Sequence, residues 1–150
     1  PKVKAILVRN LAKRPTLCDI IKPNRMQTVL KNIETYTDDY LIVDGTIPIV
    51  TNSTILDELT LYSLSDIEQH TLFTKFEEIT KRRISPDTDI NTLSFGQKII
   101  FATLCSLCCS ATKIQLRRVF SSIDNQKTEQ LKTLIENEKL KGKEFLILNN

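Results

Sequence analysis

Residues 98–109, KIIFATLCSLCC, are apolar on almost every side when they are placed on a helix. A helix of this kind has to be buried, because no face of it suits water. A chain of 150 residues is long enough to surround such a helix with other elements within one domain. The sequence therefore predicts a single domain, residues 1–150, built around this segment.

Short β-branched and apolar segments alternate with helical patterns along the rest of the chain. The predicted strands lie in residues 2–8, 40–45, 113–120 and 141–150, and the predicted helices in residues 27–36, 51–63, 65–83 and 124–140. Strands separated by helices predict an α/β fold with a mainly parallel sheet. Residues 54–109 are expected to form its helical portion.

Two of these segments give more detailed expectations. The helix in residues 65–83 should face the core with a stripe made of Ile67, Leu72, Phe73, Phe76 and Ile79.

The strand in residues 113–120 should end at Leu116, because unpaired charges are costly inside a central strand. Arg117 and Arg118 are then expected at the carboxyl edge of the sheet.

Composition limits the classes of function. The net charge of +3 and the aromatic content of 6% give neither the basic surface nor the stacking platform of a nucleic-acid-binding protein. No apolar run approaches the length of a membrane span. We expect a cytoplasmic protein, or a domain at the cytoplasmic face of a membrane transporter.

The four cysteines lack a secretory context and are expected to be thiols. Cys105, Cys108 and Cys109 share a helix face, where small apolar side chains favour packing. A metal site would need a fourth ligand, and the only histidine, His70, is remote in sequence and is expected to be exposed. We therefore predict no metal site.

The segment LSFGQ, residues 93–97, places one of only three glycines immediately before the apolar helix. A serine- and glycine-containing turn that opens a helix offers N–H groups and the positive end of the helix dipole to an anion. Gly96 then indicates either the close approach of a ligand to the backbone or a plain turn between loop and helix.

From residue 52 onward, the order of segments resembles the nucleotide-binding domain of ABC-type ATPases, particularly the exporter kind. LSFGQ is similar to the family signature LSGGQ, and SSID, residues 121–124, lies where the family has its D-loop SALD. Pro48, Thr54 and Ile55 match the segment that follows the Q-loop, and KGKEFLILNN matches the turn and strand that end in the switch histidine. The resemblance covers about two-thirds of the chain and implies a shortened fold derived from P-loop ATPases.

The departures from the family fall on the residues that serve a domain's own ATP site. Residues 21–33, IKPNRMQTVLKNI, resemble a P-loop without its glycines and lysine, which wrap the phosphates. Arg117 and Arg118 replace the acidic pair that holds magnesium and activates water, which two cations cannot do. Thr46 replaces the Q-loop glutamine, and Asn150 replaces the switch histidine.

The resemblance implies a domain with no ATPase activity of its own that pairs with a competent ABC ATPase or transporter subunit. Ser94, Gly96, Gln97 and Asp124 would complete the partner's ATP site in trans, with ATP and Mg²⁺ shared and no cofactor of its own. Its contact with a membrane would be indirect, through the transporter.

Other interpretations stay open. Asp124 is at least as well explained as a helix cap, and Arg117 and Arg118 as solvated charges. The pair could instead bind a phosphate compound or an acidic partner. The whole chain could also be a protein-interaction module that does not depend on nucleotide. No constellation of residues indicates an independent hydrolase.

Overall fold

The computed structural model describes residues 40–149. The predicted strand at residues 2–8, the predicted helix at residues 27–36, the P-loop-like segment and Asn150 lie outside the described residues. So does Cys18.

The described part of the chain has the predicted α/β order of elements. Its strands and helices are β1 (Leu41–Asp44), α1 (Ile55–Thr60), α2 (Asp66–Thr80), a 3₁₀ turn (Ile90–Thr92), α3 (Phe95–Cys108), β2 (Lys113–Arg117), α4 (Asn125–Leu140) and β3 (Glu144–Leu148). The predicted helical portion, residues 54–109, corresponds to α1 through α3. It shares one apolar core with the sheet.

The three strands form a parallel sheet in the order β1-β2-β3. Leu41 pairs with Ile114, which pairs with Phe145, so these side chains lie on one face of the sheet. All three contribute to the apolar core. The strand at the centre, β2, is buried at Ile114, Gln115 and Leu116, as expected for a strand with a neighbour on each side.

Helix α3 is the centre of the described structure. Every residue from Ile99 to Leu107 is buried, and the helix packs against α2, α4 and β1. At its carboxyl end, Lys143 Nζ donates hydrogen bonds to the carbonyl oxygens of Ser106, Leu107 and Cys109 at 3.2, 2.7 and 2.6 Å. A cation at this position also suits the negative end of the helix dipole.

The core-facing stripe of α2 is shorter than predicted. Leu72, Phe76 and Ile79 are buried, but Ile67 is 80% exposed, so its assignment to the core was wrong. Five positions separate Ile67 from Leu72, which is about 140° around a helix. The helix also ends at Thr80, earlier than predicted, because Lys81 adopts a left-handed backbone with φ of 60°.

A buried carboxylate fixes the loop between β1 and α1. Glu58 accepts hydrogen bonds from the backbone N–H of Val50 and Thr51 at 2.8 and 2.9 Å and from Thr51 Oγ1 at 2.6 Å. Both Glu58 and Thr51 are fully buried. The carboxyl group therefore satisfies the buried N–H and hydroxyl of Thr51 and the half-buried N–H of Val50.

Strand β2 continues one residue beyond the predicted end at Leu116. Arg117 stays in the ladder between Asp44 and Leu148. Its side chain is only half-buried, so the expected cost of a charge in the strand does not end the strand. Arg118 then leaves the strand with a left-handed φ of 55°.

Gly45 lies at the point where the carboxyl ends of strands β1 and β2 contact each other. Its N–H donates to the carbonyl oxygen of Arg117 at 2.7 Å, and a β-carbon added to it would overlap the carbonyl oxygen of Arg118. No side chain fits here without separating the two strands.

We predict that Gly45→Ala destabilises the domain by about 3 kcal/mol, because the β-carbon overlaps backbone that cannot move independently. Urea unfolding followed by circular dichroism measures this free energy. A Gly45→Ala variant with an unchanged unfolding midpoint would show that the two strand ends are not in contact.

Candidate functional site

The site indicated by the sequence lies at the amino end of α3. Ser94 is the N-cap of this helix: its Oγ accepts the Gln97 N–H at 3.2 Å, and its own N–H donates to Gln97 Oε1 at 3.0 Å. The helix begins at Phe95, three residues earlier than predicted, and its first intrahelical hydrogen bond joins Lys98 N to Ser94 O. The N–H groups of Phe95 and Gly96 precede that bond, and so they are free of intrahelical acceptors.

Gly96 is the second residue of α3, and the fold does not require glycine there. An added β-carbon would lie 3.4 Å from the carbonyl oxygen of Ser122 and 3.6 Å from Ile123 Cγ2, which are ordinary contact distances. Its backbone is helical, unlike that of Gly142 with φ of 103°. Neither a positive φ nor a clash with a β-carbon therefore explains the glycine at this loop-to-helix turn.

The same distances bring two of the sequence-predicted segments together. Residues 121–124 lie beside the first turn of α3, because Gly96 faces Ser122 and Ile123. Ser94, Ser121 and Ser122 are exposed, and Phe95 is 50% exposed. The signature-like and D-loop-like segments thus share one open surface.

Asp124 is the N-cap of α4, as the cap interpretation predicted. Its Oδ1 accepts the Lys127 N–H at 2.9 Å, and Lys127 Nζ lies 3.0 Å from Oδ2. The backbone hydrogen bond from Lys127, followed by that residue's side chain, lowers the pKa of Asp124 below its ordinary value of 3.8. A contact between Asp124 and a nucleotide stays a prediction.

Arg82 also belongs to this site, although no sequence motif indicated it. Its Nη1 donates to the carbonyl oxygen of Thr92 at 2.7 Å and to Gln97 Oε1 at 3.1 Å, and its Nη2 donates to Thr92 Oγ1 at 2.8 Å. These contacts span 10 and 15 positions of sequence, so no local pattern could have indicated them.

Arg117 and Arg118 are adjacent in sequence but have different surroundings, because Arg117 lies in β2 and Arg118 lies just beyond it. Arg118 Nη2 donates to Asp44 Oδ2 at 2.9 Å, and the Asp44 side chain is only 13% exposed. Asp44 Oδ1 accepts from Thr46 N and Thr46 Oγ1 at 2.9 and 2.7 Å. Arg118 is therefore an ion-pair partner of Asp44, while its side chain stays 38% exposed, as a solvated charge would be. Its Nε–H is buried without an acceptor among residues 40–149.

The three described cysteines, two on α3 and one at its C-cap, are thiols that pack into the core. Cys105 and Cys109 are buried, and Cys108 is half-buried. Burial raises the pKa of Cys108 to about 11, so its thiol stays protonated at neutral pH. No group of His, Cys, Asp or Glu side chains within residues 40–149 is arranged to hold a metal ion. His70 is exposed, as predicted.

No protein-family model matches the sequence, and no curated protein matches it either. The likeness to ABC ATPases therefore rests on the ordered segments quoted above. Within residues 40–149, none of the helices combines the length and the apolar character that crossing a bilayer demands.

We predict that Gly96→Ala raises the free energy of unfolding by about 0.5–1 kcal/mol, since alanine favours a helix over glycine and the β-carbon has room. Urea unfolding of this variant beside Gly45→Ala measures the contrast. A loss of stability in Gly96→Ala would mean that the fold itself needs this glycine.

We predict that Asp124 titrates below the ordinary range of an aspartate, measured by NMR of its side-chain carboxyl carbon. Because its pKa is lowered in the folded state, its stabilising effect is complete above the unfolded pKa and is lost as the pH falls through the folded pKa. Asp124→Asn should remove this dependence while keeping a cap. A midpoint at or above the ordinary value would contradict the capping geometry.

Proposed function

We propose that this chain is a catalytically inactive relative of ABC ATPases that completes a partner's ATP site in trans. The observation that carries the proposal is Gly96: the chain keeps a glycine in the first turn of a buried helix where its own fold would admit a β-carbon. Glycine without an internal need suits the close approach of a group from outside the chain.

The amino end of α3 has the chemistry that such a group would require. The Phe95 and Gly96 N–H groups, the Ser94 hydroxyl and the positive end of the helix dipole favour an anion. The first turn of α3 contains no acidic residue that would repel one. The γ-phosphate of an ATP held by a partner's P-loop is an anion of suitable charge and shape.

The neighbouring segment supports the same proposal. The family presents its signature and its D-loop to the partner domain from one surface, and here residues 121–124 lie beside Gly96. Phe95 adds a half-exposed aromatic ring to that surface, which suits a protein partner, because aromatic side chains are enriched at interfaces.

The carboxyl edge of the sheet supports the absence of independent catalysis. Family members use acidic groups there to hold magnesium and to activate water. In this chain Arg117 ends β2 and Arg118 follows it, and the nearby Asp44 carboxylate is engaged by Arg118 and Thr46. ATP and Mg²⁺ would therefore be held by the partner, an ABC ATPase or transporter subunit at the cytoplasmic side of a membrane.

A protein-interaction module that ignores nucleotide is the second candidate, favoured by the exposed Phe95. A phosphate-binding site at Arg117 and Arg118 has less support, since an anion there would compete with the Asp44 carboxylate.

The test has two stages. A tagged chain of residues 1–150 is incubated with extract of its source cells, with Mg·ATP and orthovanadate or without nucleotide, and any co-purifying ABC ATPase is identified. ATP hydrolysis by the purified pair is then measured for wild type, Ser94→Ala and Gly96→Asp. We expect binding that requires nucleotide, a loss of roughly tenfold or more with Ser94→Ala, and near-complete loss with Gly96→Asp. Titration calorimetry of Mg·ATP into the chain alone should show no binding.

Ser65→Ala is the matched control. Ser65 caps α2 with the same reciprocal pair of hydrogen bonds, made to Glu68, that Ser94 makes to Gln97. Its loss should cost about 1 kcal/mol of stability without affecting hydrolysis by the pair. Hydrolysis that is equal in wild type, Ser94→Ala and Gly96→Asp would overturn the proposal, and binding that ignores nucleotide would favour the interaction module.

A further inference from the structure

Arg82 joins two elements that meet at the candidate site. It follows the left-handed residue that ends α2, and its guanidinium reaches Thr92 and then Gln97 in the first turn of α3. The planar fork of an arginine can hold several acceptors in a fixed geometry, which a lysine cannot do.

The side-chain oxygen of Gln97 already accepts two hydrogen bonds. Gln97 Oε1 accepts the Ser94 N–H at 3.0 Å and the Arg82 Nη1–H at 3.1 Å. An amide oxygen has two lone pairs, so both are used. Turning the amide over would set its –NH₂ against two N–H donors, and this orientation is therefore disfavoured. Among residues 40–149, these contacts leave the –NH₂ group of Gln97 without an acceptor.

Glu68 has the same position in the capping box of α2 that Gln97 has in that of α3. There Glu68 closes the same capping box through a carboxylate, which can only accept hydrogen bonds. At α3 a neutral glutamine takes that place, with a cation on its oxygen. The amino end of α3 therefore presents donors and positive charge, where that of α2 presents an acid.

We propose that Arg82 is a positioning residue that fixes the Gln97 side chain with its –NH₂ group directed toward the partner's phosphate. This inference rests on the proposed function and adds a residue that acts through Gln97. Arg82 itself is held by Thr92 and Gln97 and makes no direct contact with the phosphate.

The first test uses the chain alone. The two side-chain amide proton signals of Gln97 are assigned by NMR from their absence in Gln97→Glu. In Arg82→Gln and in Arg82→Lys they should shift, while backbone signals distant from the first turn of α3 stay in place. Gln97 signals that do not move in either variant would overturn the inference.

The second test uses the ATPase pair described above. Arg82→Gln should lower the rate of hydrolysis by about tenfold. Arg82→Lys should be similarly slow, because lysine keeps the positive charge but lacks the planar guanidinium that holds several acceptors. The double variant Arg82→Gln/Gln97→Ala should be no slower than Gln97→Ala alone, since a residue acting through Gln97 has no effect once that side chain is gone.

Additive effects in the double variant would overturn the positioning role while leaving the proposed function intact. If Ser94→Ala and Gly96→Asp do not affect hydrolysis, the proposed function fails, and with it the role toward phosphate. The NMR signals then show only whether Arg82 orients Gln97. Urea unfolding of Arg82→Gln separates a loss of folding from a loss of positioning.

Discussion

The complete burial of α3 is the constraint on which the rest of the described structure depends. A helix with nine consecutive buried residues, 99–107, leaves no side for water, so α2, α4 and the sheet have to pack around it. Its two ends carry the polar backbone groups that packing cannot satisfy. The carboxyl end is closed by Lys143, whereas the amino end is closed only in part by Ser94 and Gln97. The amino end of α3 therefore has backbone N–H groups, those of Phe95 and Gly96, without intrahelical acceptors.

The carboxyl edge of the sheet and the amino end of α3 differ in how many of their polar groups are bonded within the chain. At the carboxyl edge of the sheet, Asp44 and Arg118 neutralise each other, and Gly45 is enclosed by the backbone of residue 118. At the amino end of α3, Gly96 has room beside it, and the Phe95 ring is half-exposed. The carboxyl edge is occupied by internal contacts, whereas the amino end of α3 is exposed at Ser94 and Phe95.

Much of the fold was predictable because its signals are local. The apolar runs of β1, β2 and β3 and the amphipathic pattern of α4 specify strands and a helix within a few residues. The start of α3 was misplaced because Ser94 and Gln97 define it through side-chain hydrogen bonds, which apolar periodicity does not register. The contacts of Arg82 join residues 10 and 15 positions apart. Only the three-dimensional packing could supply these.

Lys143 links the last strand to a helix that ended 35 positions earlier. Its three ammonium protons can serve the three carbonyl groups that it contacts, at the residue immediately before β3. An acetylated lysine carries no charge and a single N–H. Acetylation of this one side chain would therefore leave the end of α3 without most of its donors and loosen the attachment of β3. Modification of Lys143, at the opposite end of α3 from the candidate site, would therefore destabilise the packing of the sheet before it affected that site.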